Sequence, residues 1–171
     1  MSSMGTTAIS LLILDVDGVL TAGRVAVGDD AGSSRRFHVQ DGCAIKLWRR
    51  CDGRVAILSG KSGDDITARA KQLGVDWIET GATNKETAYN DILARAACGD
   101  DAVAYVGDDL PDLKPMARCG FAVAVANAVP DVKRAADYVT RRCGGHGAVA
   151  EVVELLLRKQ KRWNRSLLVE A

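Results

Sequence analysis

The sequence lacks most of what would assign it to a membrane, a nucleic acid or an oxidising compartment. No apolar run approaches the roughly 18 residues a membrane-spanning helix needs. Lys and Arg total 23 against 22 Asp and Glu, a formal charge of +1. No global field therefore draws the chain to nucleic acid or an anionic surface, and any ligand must be recognised locally. The five cysteines, Cys43, Cys51, Cys98, Cys119 and Cys143, are odd in number and form no CxxC pair. That pattern argues against a zinc site and a disulfide framework, and reduced thiols in a cytoplasmic protein are the expectation. The opening MSSMGTTAIS has no basic flank followed by an apolar core, so it does not read as a signal peptide. Internal repeats, low-complexity tracts and long linkers are also missing. A length of 171 residues suits one domain, taken as 1–171 with a core over about 9–157.

What is present is alternation. Apolar β-type runs (LLIL, RVAILS, DWIE, AVAYVG, FAVAVA, DYVT) alternate with segments of helical period. This predicts an α/β fold, a Rossmann-like parallel sheet with helices on both faces. Helices are expected over about Gly42–Arg50, Asp64–Leu73, Asn84–Ala97 and Leu110–Arg118, after Pro130, and from about Ala148. In the last of these, Val149, Val152, Val153 and Leu156 repeat at i, i+3, i+4 and i+7, which puts one face on the sheet. Only RVAVGDDAGSSRRFHV interrupts the pattern. It reads as a β-hairpin over about 24–39, with arms Arg24–Val27 and Arg35–Val39 around a Gly/Asp/Ser turn. The chain leaves no room for a second, inserted domain.

Ligands of an open parallel sheet bind beyond the carboxyl ends of its strands. Here the first strand exits at Asp15 and Asp17, the second at Ser59, and AVAYVG at Asp108 and Asp109, with Asp112 one turn later. Two like charges separated by one residue carry a Coulombic cost that a single turn-capping Asp would avoid. TNKE fits a capping box, with Thr83 at N-cap and Glu86 at N3. Lys85 then lies in a first helical turn, where a cation opposes the helix dipole. An ammonium group in that place makes sense if an anion sits before it. Carboxylates, a hydroxyl and a lysine together suggest Mg²⁺ and a phosphoryl group, one aspartate attacking phosphorus while another manages the proton. Asp109 and Asp112 have a second reading as helix N-cap and N3 acid, Ser62 and Asp65 read as a capping pair, and His38 reads as a surface residue of the hairpin.

In this order the motifs DVDGV, LSG, Lys85 and GDDLPD resemble those of the haloacid dehalogenase superfamily of phosphohydrolases. With FHVQDGCAIKLW, VAVANAVP and YVTRRCGGHGAVAEVVELLL, the chain resembles the cap-less branch that includes 3-deoxy-D-manno-octulosonate 8-phosphate phosphatase and nonulosonate 9-phosphate phosphatases. The resemblance spans about Leu11–Leu157. It implies Asp15 as nucleophile and Asp17 as general acid and base. Asp15, Asp108 and the Asp17 backbone carbonyl would hold Mg²⁺, and Ser59, Gly60, Lys61 and Lys85 would meet the phosphate and substrate. Asp109 and Asp112 would be lesser ligands or supports behind them. It also implies a homotetramer with the hairpin between subunits. Two positions depart from the branch: Lys61 stands where an arginine is usual, and Ala44 where glycine is. The resulting expectation is a Mg²⁺-dependent phosphatase of a small acidic sugar phosphate, with a broad-specificity phosphatase and a catalytically silent assembly domain as alternatives. A receiver domain fits less well, because DWIE ends without the aspartate such domains phosphorylate. The basic tail, about 158–171, reads as a solvated end, or as a segment entering a neighbouring site.

Overall fold

The structure is a computed structural model that describes residues 9–25 and 35–163. Six strands, β1 (Leu11–Leu14), β2 (Arg54–Leu58), β3 (Trp77–Glu79), β4 (Val103–Gly107), β5 (Phe121–Ala124) and β6 (Tyr138–Val139), form one sheet in the order β3-β2-β1-β4-β5-β6. Every pairing is parallel. The chain winds outward from β1 to β3, recrosses to β4 on the other side of β1, and winds outward again to β6. The winding thus reverses between β1 and β4, and their exits flank the crevice that such a switch point opens.

All residues of β1, β4 and β5 are buried. Helices cover both faces, which is why these strands are continuous apolar runs and do not alternate. β3 and β6 are short, partly exposed edges. One helical layer contains α1 (Val39–Arg50), α2 (Asp64–Leu73) and α6 (Ala148–Lys159); the other contains α3 (Lys85–Ala96), α4 (Leu113–Met116) and α5 (Pro130–Ala135). Val149, Val152, Val153 and Leu156 are fully buried where α6 packs on α1. Trp48 of α1 is also fully buried, and its indole N–H donates to the Arg54 carbonyl at 3.0 Å, so the largest core side chain leaves no polar group unpaired.

The fold class is as read from the sequence, and the differences lie at boundaries. Most of the expected hairpin lies outside the described residues. Arg24, Val25 and Arg35–His38, the described parts of its arms, are in no strand. The backbone N–H of Arg35, which a hairpin would pair across strands, donates instead to the Asp65 carboxylate at 2.8 Å. Val39 is already helical, so α1 starts three residues before Gly42, with half-buried His38 at its N-cap. The helix expected over Leu110–Arg118 splits into a 3₁₀ turn, Leu110–Asp112, followed by α4. The five cysteines are free thiols.

Candidate active site

The register puts the acids together. Leu14 of β1 lies beside Ile57 of β2 and Val106 of β4, and the Asp15 N–H continues the ladder to the Val106 carbonyl at 3.1 Å. Asp15, Ser59 and Asp108 thus leave three adjacent strands at one level.

Lys85 is the first residue of α3, and its helix is capped by Asn84, whose side-chain oxygen accepts from the N–H groups of Glu86 (2.9 Å) and Thr87 (3.3 Å). The cap expected at Thr83 therefore falls one residue later; Lys85 keeps its place in the first turn. Its Nζ lies 2.8 Å from Asp15 Oδ1 and 2.6 Å from Asp112 Oδ1. Burial disfavours the ammonium form, but Asp15 and Asp112 outweigh it and hold Lys85 above the ordinary lysine value.

Asp112 is completely buried and fully occupied. Oδ1 accepts from Lys85 and from the Tyr105 hydroxyl (2.8 Å), and Oδ2 accepts from the backbone N–H groups of Asp108 (3.0 Å) and Asp109 (3.2 Å). This carboxylate locks the β4 exit to the lysine. Burial, then the charge of Asp112, pushes the Tyr105 hydroxyl well above its ordinary value, so it remains a donor. Asp109 is exposed and caps its own turn through Leu110 N–H at 2.8 Å.

Asp15 and Asp108 are the strained pair. Burial pushes Asp15 up to about 6, against the pull of Lys85. Burial, then the charge of Asp15, pushes Asp108 up to about 8. Oδ1 of Asp108 is buried with no hydrogen-bond partner. Carboxylate oxygens of Asp15, Asp108 and Asp112 lie within 4.8 Å of one another. Crowded hard oxygens, one of them orphaned, fit a divalent cation such as Mg²⁺, which would supply the missing partner and offset the repulsion. Since Asp112 already accepts four hydrogen bonds, Asp15 and Asp108 are the better candidates to hold the ion.

A pH dependence follows. Both folded-state values lie above the ordinary carboxylate value, so the stability these groups contribute in their neutral forms is present at low pH and is lost as pH rises through about 6 and about 8. The Tm of chelator-treated protein should therefore fall between pH 5 and 8, and Mg²⁺ should flatten that fall. Equal slopes with and without Mg²⁺ would argue against a cation site here.

Gly18 closes the floor of the site. Its φ is +96°, and an added Cβ would stand 2.0 Å from Asp108 Oδ2. Backbone strain and steric exclusion act together, so Gly18→Ala is expected to destabilise by about 1–3 kcal/mol. It should also weaken Mg²⁺ binding by displacing Asp108, both checked by denaturant titration with and without the ion. The Gly144–Gly145 pair has a packing role. A Cβ on Gly144 would meet the Gly18 carbonyl at 1.7 Å, and one on Gly145 would meet Thr21 and Ala22 backbone. Asn127 joins the same loops, accepting from Gly144 N–H at 2.7 Å.

Ser59 is buried at the β2 exit, and its Oγ accepts from the Lys61 N–H at 3.2 Å; Gly60 and Lys61 are exposed beside it. Asp17, by contrast, does not join the acid cluster. Both its carboxylate oxygens accept from Arg35, Oδ1 from Nε at 2.8 Å and Oδ2 from Nη2 at 3.1 Å. The same guanidinium reaches Asp65 Oδ1 through Nη1 at 2.8 Å. Asp65 is thus occupied by Arg35, and no side-chain cap with Ser62 forms at the α2 N-terminus. Sequence reading missed Arg35 and Tyr105. A tyrosine inside the otherwise aliphatic AVAYVG was a signal for the second; nothing local marked the first. Elsewhere, a cavity of about 420 Å³ between the last turns of α1 and α2 is lined by Lys46, Arg49, Arg50 and Lys71. It lies away from the strand exits, and bases there offset the negative helix ends.

A parallel sheet with carboxylates at its reversal point, a serine at the next strand exit and a lysine opening α3 defines a haloacid dehalogenase-type hydrolase. The family model for haloacid dehalogenase-like hydrolases matches residues 44–153, and the chain belongs to that family. Within it the chain is a phosphatase. Over 152 residues it is 44% identical to 3-deoxy-D-manno-octulosonate 8-phosphate phosphatase KdsC of Escherichia coli K12, a match covering 89% of this chain and 81% of that protein. The phosphatase of the same name from Yersinia pestis superposes with a TM-score of 0.89 at 41% identity, covering 93% of this chain and 86% of that one. That from Moraxella catarrhalis, solved with a magnesium ion, a phosphate ion and a KDO molecule, gives a TM-score of 0.92 at 33% identity, covering 98% and 96%. The family inferred from DVDGV, LSG, Lys85 and GDDLPD is the family found.

Proposed function

We propose that the chain is a Mg²⁺-dependent phosphomonoesterase whose substrate is a small acidic sugar phosphate, octulosonate 8-phosphate first. The observation that carries this reading is Asp15: a buried carboxylate 2.8 Å from the Lys85 ammonium and beside Asp108, whose Oδ1 has no partner. The likeness to KdsC supports the choice of sugar.

In this reading Asp15 attacks phosphorus as the bond to the sugar oxygen breaks, and Asp17 gives that oxygen its proton. Water then attacks phosphorus, Asp17 takes its proton, and the Asp15–phosphorus bond breaks to release phosphate. Lys85 and Ser59 hold phosphoryl oxygens at the exits of β1 and β2. Asp112 keeps Lys85 in place, and Lys61, a point charge and not a bidentate fork, meets the sugar at the exposed rim. Mg²⁺, held by Asp15 and Asp108 with the Asp17 carbonyl, would neutralise charge on the phosphoryl group.

The same reading includes a cytoplasmic homotetramer with the segment around 24–39 between subunits. Val25 (69% exposed) and Val39 (75%) at its base are apolar surface such a contact would cover. Sedimentation velocity tests the assembly. For the activity, phosphate release is measured with Mg²⁺ against octulosonate 8-phosphate, nonulosonate 9-phosphate and neutral sugar phosphates. A preference for the octulosonate supports the reading; equal turnover of all of them would overturn the proposed specificity and leave a broad phosphatase.

A further inference from the structure

We propose that Arg35, braced by Asp65, is the positioning residue for Asp17. It parks the carboxylate outside the phosphoryl site and fixes the place from which it reaches the leaving oxygen. The inference rests on the phosphatase reading above.

Asp17 sits two residues past the nucleophile, in the irregular turn Val16–Leu20, where its own backbone is neither strand nor helix. Nothing local fixes its side chain. Arg35 does so by presenting one edge, Nε and Nη2, to both carboxylate oxygens, a bidentate geometry that sets direction as well as distance. A fork can orient another group only if it is itself held. Asp65 holds it twice, accepting the backbone N–H of Arg35 at Oδ2 and Nη1 at Oδ1, each at 2.8 Å. Asp65 stands in the first turn of α2, a rigid base. Its carboxyl lies below the usual range: slight burial raises it, and the Arg35 and Ile66 N–H groups and the Arg35 guanidinium outweigh that.

Gly63 is a second, independent sign that the bridge is built in. A Cβ there would lie 2.5 Å from Asp65 Oδ1 and 2.8 Å from Arg35 Nη1, so the residue before α2 leaves the space the ion pair fills. The rim therefore carries two separate charge networks. Lys85 serves Asp15 and Asp112; Arg35 serves Asp17 and Asp65. Keeping the ionised Asp17 on the outer network spares the inner one a further like charge. The proton it gives to the alkoxide is the one it took from water in the preceding turnover, and the oxygen that carries it leaves the fork while the other stays held.

A salt bridge that merely anchored residue 35 would affect all substrates alike. A bridge that aims the general acid matters most where the leaving group needs a proton. The test is kcat/KM for a sugar phosphate and for 4-nitrophenyl phosphate, whose leaving group departs unaided. This parameter stops at leaving-group release, so the later attack of water does not enter. Arg35→Gln should lower kcat/KM for the sugar phosphate by about 30-fold and for the aryl phosphate by less than about 3-fold. Arg35→Lys should recover part of the loss, and Gly63→Ala should shift the ratio the same way to a smaller extent. Equal losses on both substrates, or none on either, would overturn the proposal. Should Arg35→Gln fail to fold, Arg35→Lys and Gly63→Ala decide by the same ratio. Failure of the parent reading looks different: wild-type protein would then release no phosphate in an Asp15-dependent way.

Discussion

Asp15→Asn is expected to reduce phosphate release from every substrate to less than about one ten-thousandth of wild type, the scale on which loss of a nucleophile is felt. The amide keeps the shape of the carboxylate but cannot form an acyl phosphate. Its effect on the fold should run the other way. Asp15 and Asp108 crowd one buried place, and the charge of Asp15 raises the affinity of Asp108 for a proton. Replacing one by a neutral isostere relieves that repulsion, while Lys85 keeps Asp112 as partner at 2.6 Å. The metal-free variant should therefore melt no lower than wild type at pH 8. An inactive protein of undiminished stability separates chemistry from folding, and a calorimetric scan beside a phosphate assay reads both. Retained turnover would remove Asp15 from the role of nucleophile.

Lys85→Met should lose activity together with stability. The phosphoryl oxygens lose a positive partner fixed before the reaction begins, which lowers kcat/KM by about 100–1,000-fold. In the metal-free protein the two carboxylates that meet Lys85 lose their cation. Breaking a buried ion pair from one side costs about 3–5 kcal/mol, because the surviving charges remain buried without compensation. Tyr105 and two backbone N–H groups still serve Asp112, so Asp15 and Asp108 carry most of the damage. Adding Asp15→Asn to Lys85→Met should recover part of the lost stability and none of the activity. Full additivity of the two stability changes would mean that the 2.8 Å contact carries no coupling.

The pair of variants depends on features of unequal legibility in the sequence. The strands could be read because β1, β4 and β5 are covered on both faces, and continuous apolar runs follow from that. The acids could be placed because strand exits of a parallel sheet share one edge, and Lys85 stood out because its charge opposes the helix it opens. Side-chain direction was not legible. Asp15 and Asp17 are chemically alike and two residues apart, yet one turns to Lys85 and the other to Arg35. The partner of Asp17, Arg35, is held by Asp65 beside Gly63, residues distant from it in sequence and brought close only by folding. Thr83 and Asn84 are both good caps, and pattern alone cannot choose between them; the structure uses Asn84. Glycines 144 and 145 look like a loose loop until Gly18 and Thr21 are seen against them.

The central claim is that phosphate passes through Asp15, and a single-turnover experiment tests it most directly. Enzyme in excess over octulosonate 8-phosphate is mixed with Mg²⁺ and quenched in acid within milliseconds, and the acyl phosphate is located by borohydride reduction and peptide mass. The expected result is modification of Asp15 alone, absent from Asp15→Asn protein. Substrate turnover with no trapped group, or with the group on another residue, would contradict the account.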